Sequence, residues 1–184
     1  GYLMPDTYQL YWQQDEEGIV KLLVCEFWKF FDDSMKAAAE TRGISLNDLI
    51  TVASIVEGET AVDSERALVA GVYYNRLEKK MPLQADPTIE YILEDGPRLL
   101  RRSDLVRESA YNTYHHLGLP PGPVNNPGKA SIRSALSPRK HKYLFFVATG
   151  MGGHRFSKTF NEHLKAIRNY HKVREEQAAR KEAG

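Results

Sequence analysis

One cysteine occurs in 184 residues, so no disulfide can close within the chain, and folding must rest on a packed core. That residue, Cys25, sits among Leu23, Val24, Phe27 and Trp28, a setting that predicts a buried small hydrophobe and has none of the surroundings of a nucleophile. No apolar run approaches the roughly 20 residues that cross a bilayer as a helix. The best stretch, Ile19 to Phe31, is interrupted by Lys21, Glu26 and Lys29. No signal-peptide pattern opens the chain. Charge of one sign is missing too: 25 basic against 24 acidic side chains leave +1, which gives no reason to expect nucleic acid or an anionic membrane as the main partner. There is no HExxH, and the six histidines lack paired metal spacing; His115 and His116 are adjacent and point apart in extended chain. Gly150-Met151-Gly152-Gly153 leads from one strand pattern into another, so it is no phosphate loop ahead of a helix. No Gly-x-Ser-x-Gly elbow is present. These absences leave acid–base chemistry by carboxylates, with no metal and no cofactor, and glycoside cleavage is its natural form.

What is present suits one folded domain. Hydrophobic residues make up 42% and charged residues 27%, ordinary values for a chain long enough to bury a core. A short aromatic segment, Tyr2 to Trp12, is broken at Pro5-Asp6. Asp15 to about Arg42 reads as one long helix closed by Gly43, with apolar positions at Ile19, Leu22, Leu23, Phe27, Phe30 and Phe31. A helix from Ala61 to Lys80, capped by Thr60, puts Val69, Val72 and Tyr73 inward and Arg66 outward. Short helices are expected at Thr88–Leu93 and from Pro127 to Leu136, ended by Ser137-Pro138. Tyr143 to Ala148 is the clearest strand, with His154 to Ser157 as its hairpin partner. Thr159 to Ala183 is a final helix, charged on all faces beyond Lys172. The sum is α+β: mostly helical, with a small antiparallel hairpin and the N-terminal segment as a candidate third strand.

The stretch Ala53-Ser54-Ile55-Val56-Glu57-Gly58-Glu59-Thr60 carries the chemistry. Ser45 N-caps a helix whose residues Leu46, Leu49, Ile50, Val52, Ala53, Ile55 and Val56 are apolar nearly all round, the pattern of a buried helix. Its inner stripe steps 46, 50, 53 and lands on Glu57, with Gly58 as the expected stop. Burial and the negative helix end both disfavour a charged carboxylate there, and a protonated Glu is what a general acid needs. The bland alternative is a Glu turned out to solvent at a helix end. Glu59 cannot share a face with Glu57 and belongs to the turn beside the site or to the next helix start.

Residues 81–127 are the least regular part. Two prolines within Pro82-Leu83-Gln84-Ala85-Asp86-Pro87 force a loop. Tyr111-Asn112-Thr113-Tyr114 precedes a proline-rich run to Pro123. Such long irregular stretches are usually functional, and this one is dense in groups that stack on sugars and hydrogen-bond hydroxyls. Asn75, Gln84, Asp86, Tyr111, Asn112, Thr113 and Tyr114, with Glu59, are therefore the candidate substrate-binding residues. The rival expectation is that Asn112 and Asp86 merely cap loop backbone.

Several motifs together resemble the YceG-like family of endolytic murein transglycosylases. They are Gly1 to Tyr8, Ala53 to Thr60, Asn75-Arg76-Leu77, Leu83 to Thr88, Tyr111 to Tyr114, the Gly118 to Gly128 proline loop, Tyr143 to Ala148, and Gly153-His154-Arg155-Phe156. Met4, Gly58 and Ala85 depart from the usual residues without removing a group the chemistry needs. The resemblance implies a lysozyme-like catalytic domain spanning 1–184 with Glu57 as the catalytic residue. It implies an N-terminal membrane anchor and a LysM-like subdomain upstream, and a domain facing the periplasm or cell wall. It implies peptidoglycan glycan strands as substrate, cut between N-acetylmuramic acid and N-acetylglucosamine to leave 1,6-anhydro ends, with peptidoglycan synthases as candidate partners. Two other classes stay open: a hydrolase of the same glycan using Glu57 with Asp86 or Glu59, and a non-catalytic glycan-binding module.

Overall fold

The computed structural model describes residues 1–96 and 98–182. Among the described residues seven helices and one hairpin follow in order: α1 (Glu16–Phe30), α2 (Asp33–Thr41), α3 (Leu46–Glu59), α4 (Asp63–Glu78), α5 (Asp86–Tyr91), α6 (Lys129–Leu136), β1 (Phe145–Ala148), β2 (His154–Ser157) and α7 (Phe160–Glu182). This is the α+β architecture expected. The sheet holds β1 and β2 alone, antiparallel with Phe146 opposite Phe156, and the N-terminal segment does not join it.

At the centre lies α3, buried from Leu49 to Val56. It packs most extensively on α6, then on α4 and α5. Ser45 caps it as its sequence dictates, Oγ accepting from Asp48 N–H at 3.1 Å. Gly58 does not stop the helix, which runs on to Glu59. The single long helix expected over 15–42 is two. Asp32 breaks it by accepting from Met35 N–H at 2.9 Å, so a strong N-cap restarts the chain as α2. Cys25 is exposed, not buried, because α1 turns Phe27 and its neighbour Phe31 inward instead.

The start of α4 falls at Asp63, with Val62 at the cap position and no side-chain cap. Thr60 braces the turn ahead of it, its hydroxyl accepting from Val62 N–H at 3.0 Å. Arg66, expected outward, is buried. Its guanidinium meets Asp63 at 2.9 Å, Ser131 at 2.6 Å and Glu57 at 3.3 Å, and that network makes burial of the charge tolerable. Glycine is required at 71, where a Cβ would lie 2.5 Å from the Arg139 carbonyl oxygen; α4 and the 139–141 strap touch backbone to backbone. In α7, Thr159 and Glu162 exchange side-chain and backbone bonds as a capping box. The helix then runs through the solvated, charged stretch as far as Glu182, and its expected extension to Ala183 lies outside the described residues.

Candidate active site

The two acids of the central motif end in different places. They lie two positions apart, about 200° around an α-helix, so they cannot face one way. Glu57 faces α6. Its Oε2 accepts from Gly128 N–H at 2.9 Å, at the N-terminus of a helix whose own cap residue offers no side chain. Its Oε1 lies 3.3 Å from Arg66 Nη1. The Glu57 side chain is 29% exposed and Arg66 9%, so the apolar burial expected for Glu57 is replaced by a guanidinium and a helix end. Both oxygens are committed to these fixed partners, and the dipole they meet is the favourable positive end of α6.

Glu59, on the last turn of α3, faces α4, α5 and the hairpin. It lines a polar cleft of about 250 Å³ together with Tyr73, Arg76, Gln84, Asp86, Tyr114 and His163. The Tyr73 hydroxyl donates to Glu59 Oε1 at 2.5 Å. Burial pushes the Glu59 carboxyl up from 4.5 to about 7. The Tyr73 hydrogen bond and Arg76 pull the other way, while the charges of Asp86 and Glu90 add to the rise. Tyr73 itself is raised well above 10, chiefly by burial, so it stays a donor.

Each wall has a local cause. Asp86 opens α5 with Pro87 beside it, and the Tyr114 hydroxyl donates to its Oδ1 at 2.5 Å. Burial and that carboxylate together raise the Tyr114 phenol, keeping it protonated. Gln84 holds φ at 48°, a left-handed backbone uncommon outside glycine, pinned by its N–H to the Thr113 carbonyl at 3.0 Å. Arg76 is buried, donating to the Leu144, Pro82 and Leu83 carbonyls at 2.7, 3.3 and 2.7 Å. It thereby fixes the 82–84 loop and the entry to β1 in one geometry.

Of the expected binding residues, Glu59, Gln84, Asp86 and Tyr114 come together in this cleft. Four others sit elsewhere. Asn75 donates to the His141 and Tyr143 carbonyls at 3.0 and 2.9 Å and fastens the strap ahead of β1 to α4. Asn112 is fully buried, donating to the Leu105 and Arg107 carbonyls and accepting from Tyr114 N–H, which is the loop-capping alternative. Thr113 is buried as well, its Oγ1 accepting from Ala85 N–H at 3.0 Å. Tyr111 packs against Tyr91 with ring centroids 4.7 Å apart. Sequence reasoning missed Tyr73, Arg76 and His163: the first two read as helix-face residues and the third as one histidine in a polar helix. A larger groove of about 580 Å³ between the hairpin and α7 includes Arg155, Glu162, Lys165 and Asn169. Its one acid is the α7 capping residue, held below the usual carboxylate range by the N–H groups of Lys158 and Thr159.

Fold and cleft together define a helical α+β domain built around a carboxyl in a polar groove, with its proton retained toward neutral pH. The chain belongs to the YceG-like family, whose model it matches over residues 1–169. It is 39% identical over 171 residues to the endolytic murein transglycosylase of Bacillus subtilis, covering 92% of this chain and 47% of that protein. It is 35% identical over 156 residues to the protein of the same name from Streptococcus pneumoniae, covering 80% of this chain and 28% of that one. The crystal structure of a YceG-like protein from Listeria monocytogenes superposes with a TM-score of 0.82 at 37% identity, covering 90% of this chain and 53% of that one. The chain thus spans under half the length of these curated relatives.

Proposed function

We propose that this domain is a lytic transglycosylase of peptidoglycan and that Glu59, with its carboxyl raised to about 7 in the cleft, is its general acid and then its base. Protonated, Glu59 gives its proton to the oxygen between N-acetylmuramic acid and N-acetylglucosamine as that bond breaks. An oxocarbenium-like centre forms at the muramoyl C1. Ionised Glu59 then takes the proton of the same sugar's C6 hydroxyl, whose oxygen bonds to C1 and closes the 1,6-anhydro ring. The nucleophile is already on the substrate, so its effective molarity is high and no water or second carboxylate is needed. Tyr73 fixes the acid's rotamer through Oε1. The Gln84 amide can donate to and accept from the sugars, and the Tyr114 oxygen, whose proton goes to Asp86, can accept from them. Glu57, the acid that the motif alone suggests, serves in this reading as the clamp between α3 and α6.

Asp86 in the same cleft favours a second reading, hydrolysis with Asp86 activating a water. Mass spectrometry of digested glycan strands separates the two: anhydro ends support the lyase, reducing ends the hydrolase, and uncut strands would overturn both. In the longer protein, this reading places the domain at the cell wall on a membrane anchor, ending nascent strands beside the synthases. The name of the relatives supports the cell-wall substrate, while the anchor and the synthases rest on the family resemblance; no helix among the described residues is long and apolar enough to cross a membrane.

A further inference from the structure

His163 stands in the first turn of α7 and lines the Glu59 cleft, as does Phe146 of β1. Its ring stacks on Phe145 of β1, centroids 5.2 Å apart and planes 22° apart. The Arg76 guanidinium lies over the same Phe145 ring at 5.3 Å. Nδ1 is buried and meets no hydrogen-bond partner among the described residues. A buried N–H without an acceptor is the rarer and costlier vacancy, so the proton belongs on the other nitrogen. An imidazolium would carry a proton on Nδ1 as well, and burial beside Arg76 opposes it, lowering the His163 pKa from its ordinary value. The ring is therefore neutral, with a bare Nδ1 and a donating Nε2–H.

Of the other donors in the cleft, Tyr73 is spent on Glu59, Tyr114 on Asp86, and Arg76 Nε and Nη1 on three backbone carbonyls, which leaves Arg76 Nη2 and the Gln84 amide beside His163. A ligand presenting hydroxyl or acetamido oxygens needs a donor, and a neutral imidazole supplies one without placing a positive charge beside the carboxyl of Glu59. Resting on the glycan reading above, we infer that His163 is a substrate-contacting residue whose Nε2–H donates to a hydroxyl or N-acetyl oxygen of the sugar bound beside Glu59. Phe145 sets the plane of the ring, and the capped first turn of α7 sets its distance from the cleft.

The test uses His163→Phe, which keeps the stacked ring and loses the donor, and His163→Gln, which restores an N–H donor. Digestion of purified glycan strands should show kcat/KM at least tenfold lower for the Phe variant and partly recovered for the Gln variant, with Tm near the parent's and the alkaline decline set by Glu59 in place. Imidazole nitrogen NMR of the parent at pH 7 should show the Nε2–H tautomer. Adding a GlcNAc–MurNAc tetrasaccharide to Glu59→Gln protein should shift that Nε2 signal. A Phe variant with parental kcat/KM, an Nδ1–H tautomer, or no Nε2 shift at saturation would each overturn the assignment. A parent that binds the tetrasaccharide with the Nε2 shift but cuts no strand would overturn the lyase reading and leave this contact standing.

Discussion

The hydroxyl of Tyr73 on α4 donates to Oε1 of Glu59 on the last turn of α3, at 2.5 Å. That bond joins two helices at the floor of the cleft and separates the fates of two acids only two residues apart. Glu59 receives one neutral donor in a buried setting and keeps its proton toward neutrality. Glu57 receives a guanidinium and a helix end.

Replacing each acid should therefore give opposite results. Glu59→Gln should cut glycan strands about 100-fold to 10,000-fold more slowly while folding at least as stably as the parent. Glu57→Gln should retain most turnover but lose stability, by about 1–3 kcal/mol for weakened bonds to Arg66 and Gly128. Anhydro-end counting and calorimetry on the two variants check this. The reverse pattern would return the acid role to Glu57.

Stability should depend on pH through Glu59. Its carboxyl is raised in the folded state from 4.5 to about 7. Between those values the folded chain holds a proton that the unfolded chain has released, so stability falls as pH rises through this window and levels off above it. The full fall has an upper bound of about 3 kcal/mol, and denaturant titrations at a series of pH values should find it absent in Glu59→Gln. Cleavage by the protonated form should decline on the alkaline side with a midpoint near 7.

Asn112→Ala should act on the fold. It strips two donors and an acceptor from a fully buried loop. The expected cost is about 2–4 kcal/mol, read as a drop in melting temperature, with cleavage by the remaining folded protein within a few-fold of the parent. Undiminished stability with lost cleavage would put Asn112 among the substrate contacts.

Gly71→Ala should be among the most damaging small substitutions. Its Cβ would meet the Arg139 carbonyl and His141 Nε2, both at 2.5 Å, and the first is backbone that cannot swing aside. We expect a loss of about 1–3 kcal/mol from overpacking, measured by thermal unfolding. Cleavage should also fall, because the strap it displaces leads into β1, where the Leu144 carbonyl holds Arg76.

Much of this protein is fixed by short-range chemistry that a sequence displays. Ser45 caps α3, Ser137 ends α6, and the β-prone run with its glycine turn makes the hairpin; each needs only its neighbours. The burial of α3 is equally plain, since an all-round apolar helix has one place to go. The break at Asp32 was legible in kind, an N-cap residue followed by helix formers, but helical periodicity ran across it on both sides and masked it.

Tertiary structure alone decided which acid faces the cleft. A periodic stripe locates the apolar face of a helix, and it placed Glu57 on that face correctly. It says nothing about what the facing element carries. Here α6 brings a helix N-terminus and Arg66 lies alongside, so the face that looked like a dry pocket is a charge clamp. Glu59 looked like turn polarity until α4, the 82–86 loop and α7 closed over it with Tyr73, Asp86 and His163. Sequence determined the local elements and the motif that bears the acids; a carboxyl's proton depends on desolvation and on partners dozens of residues away, and only the assembled fold supplies those.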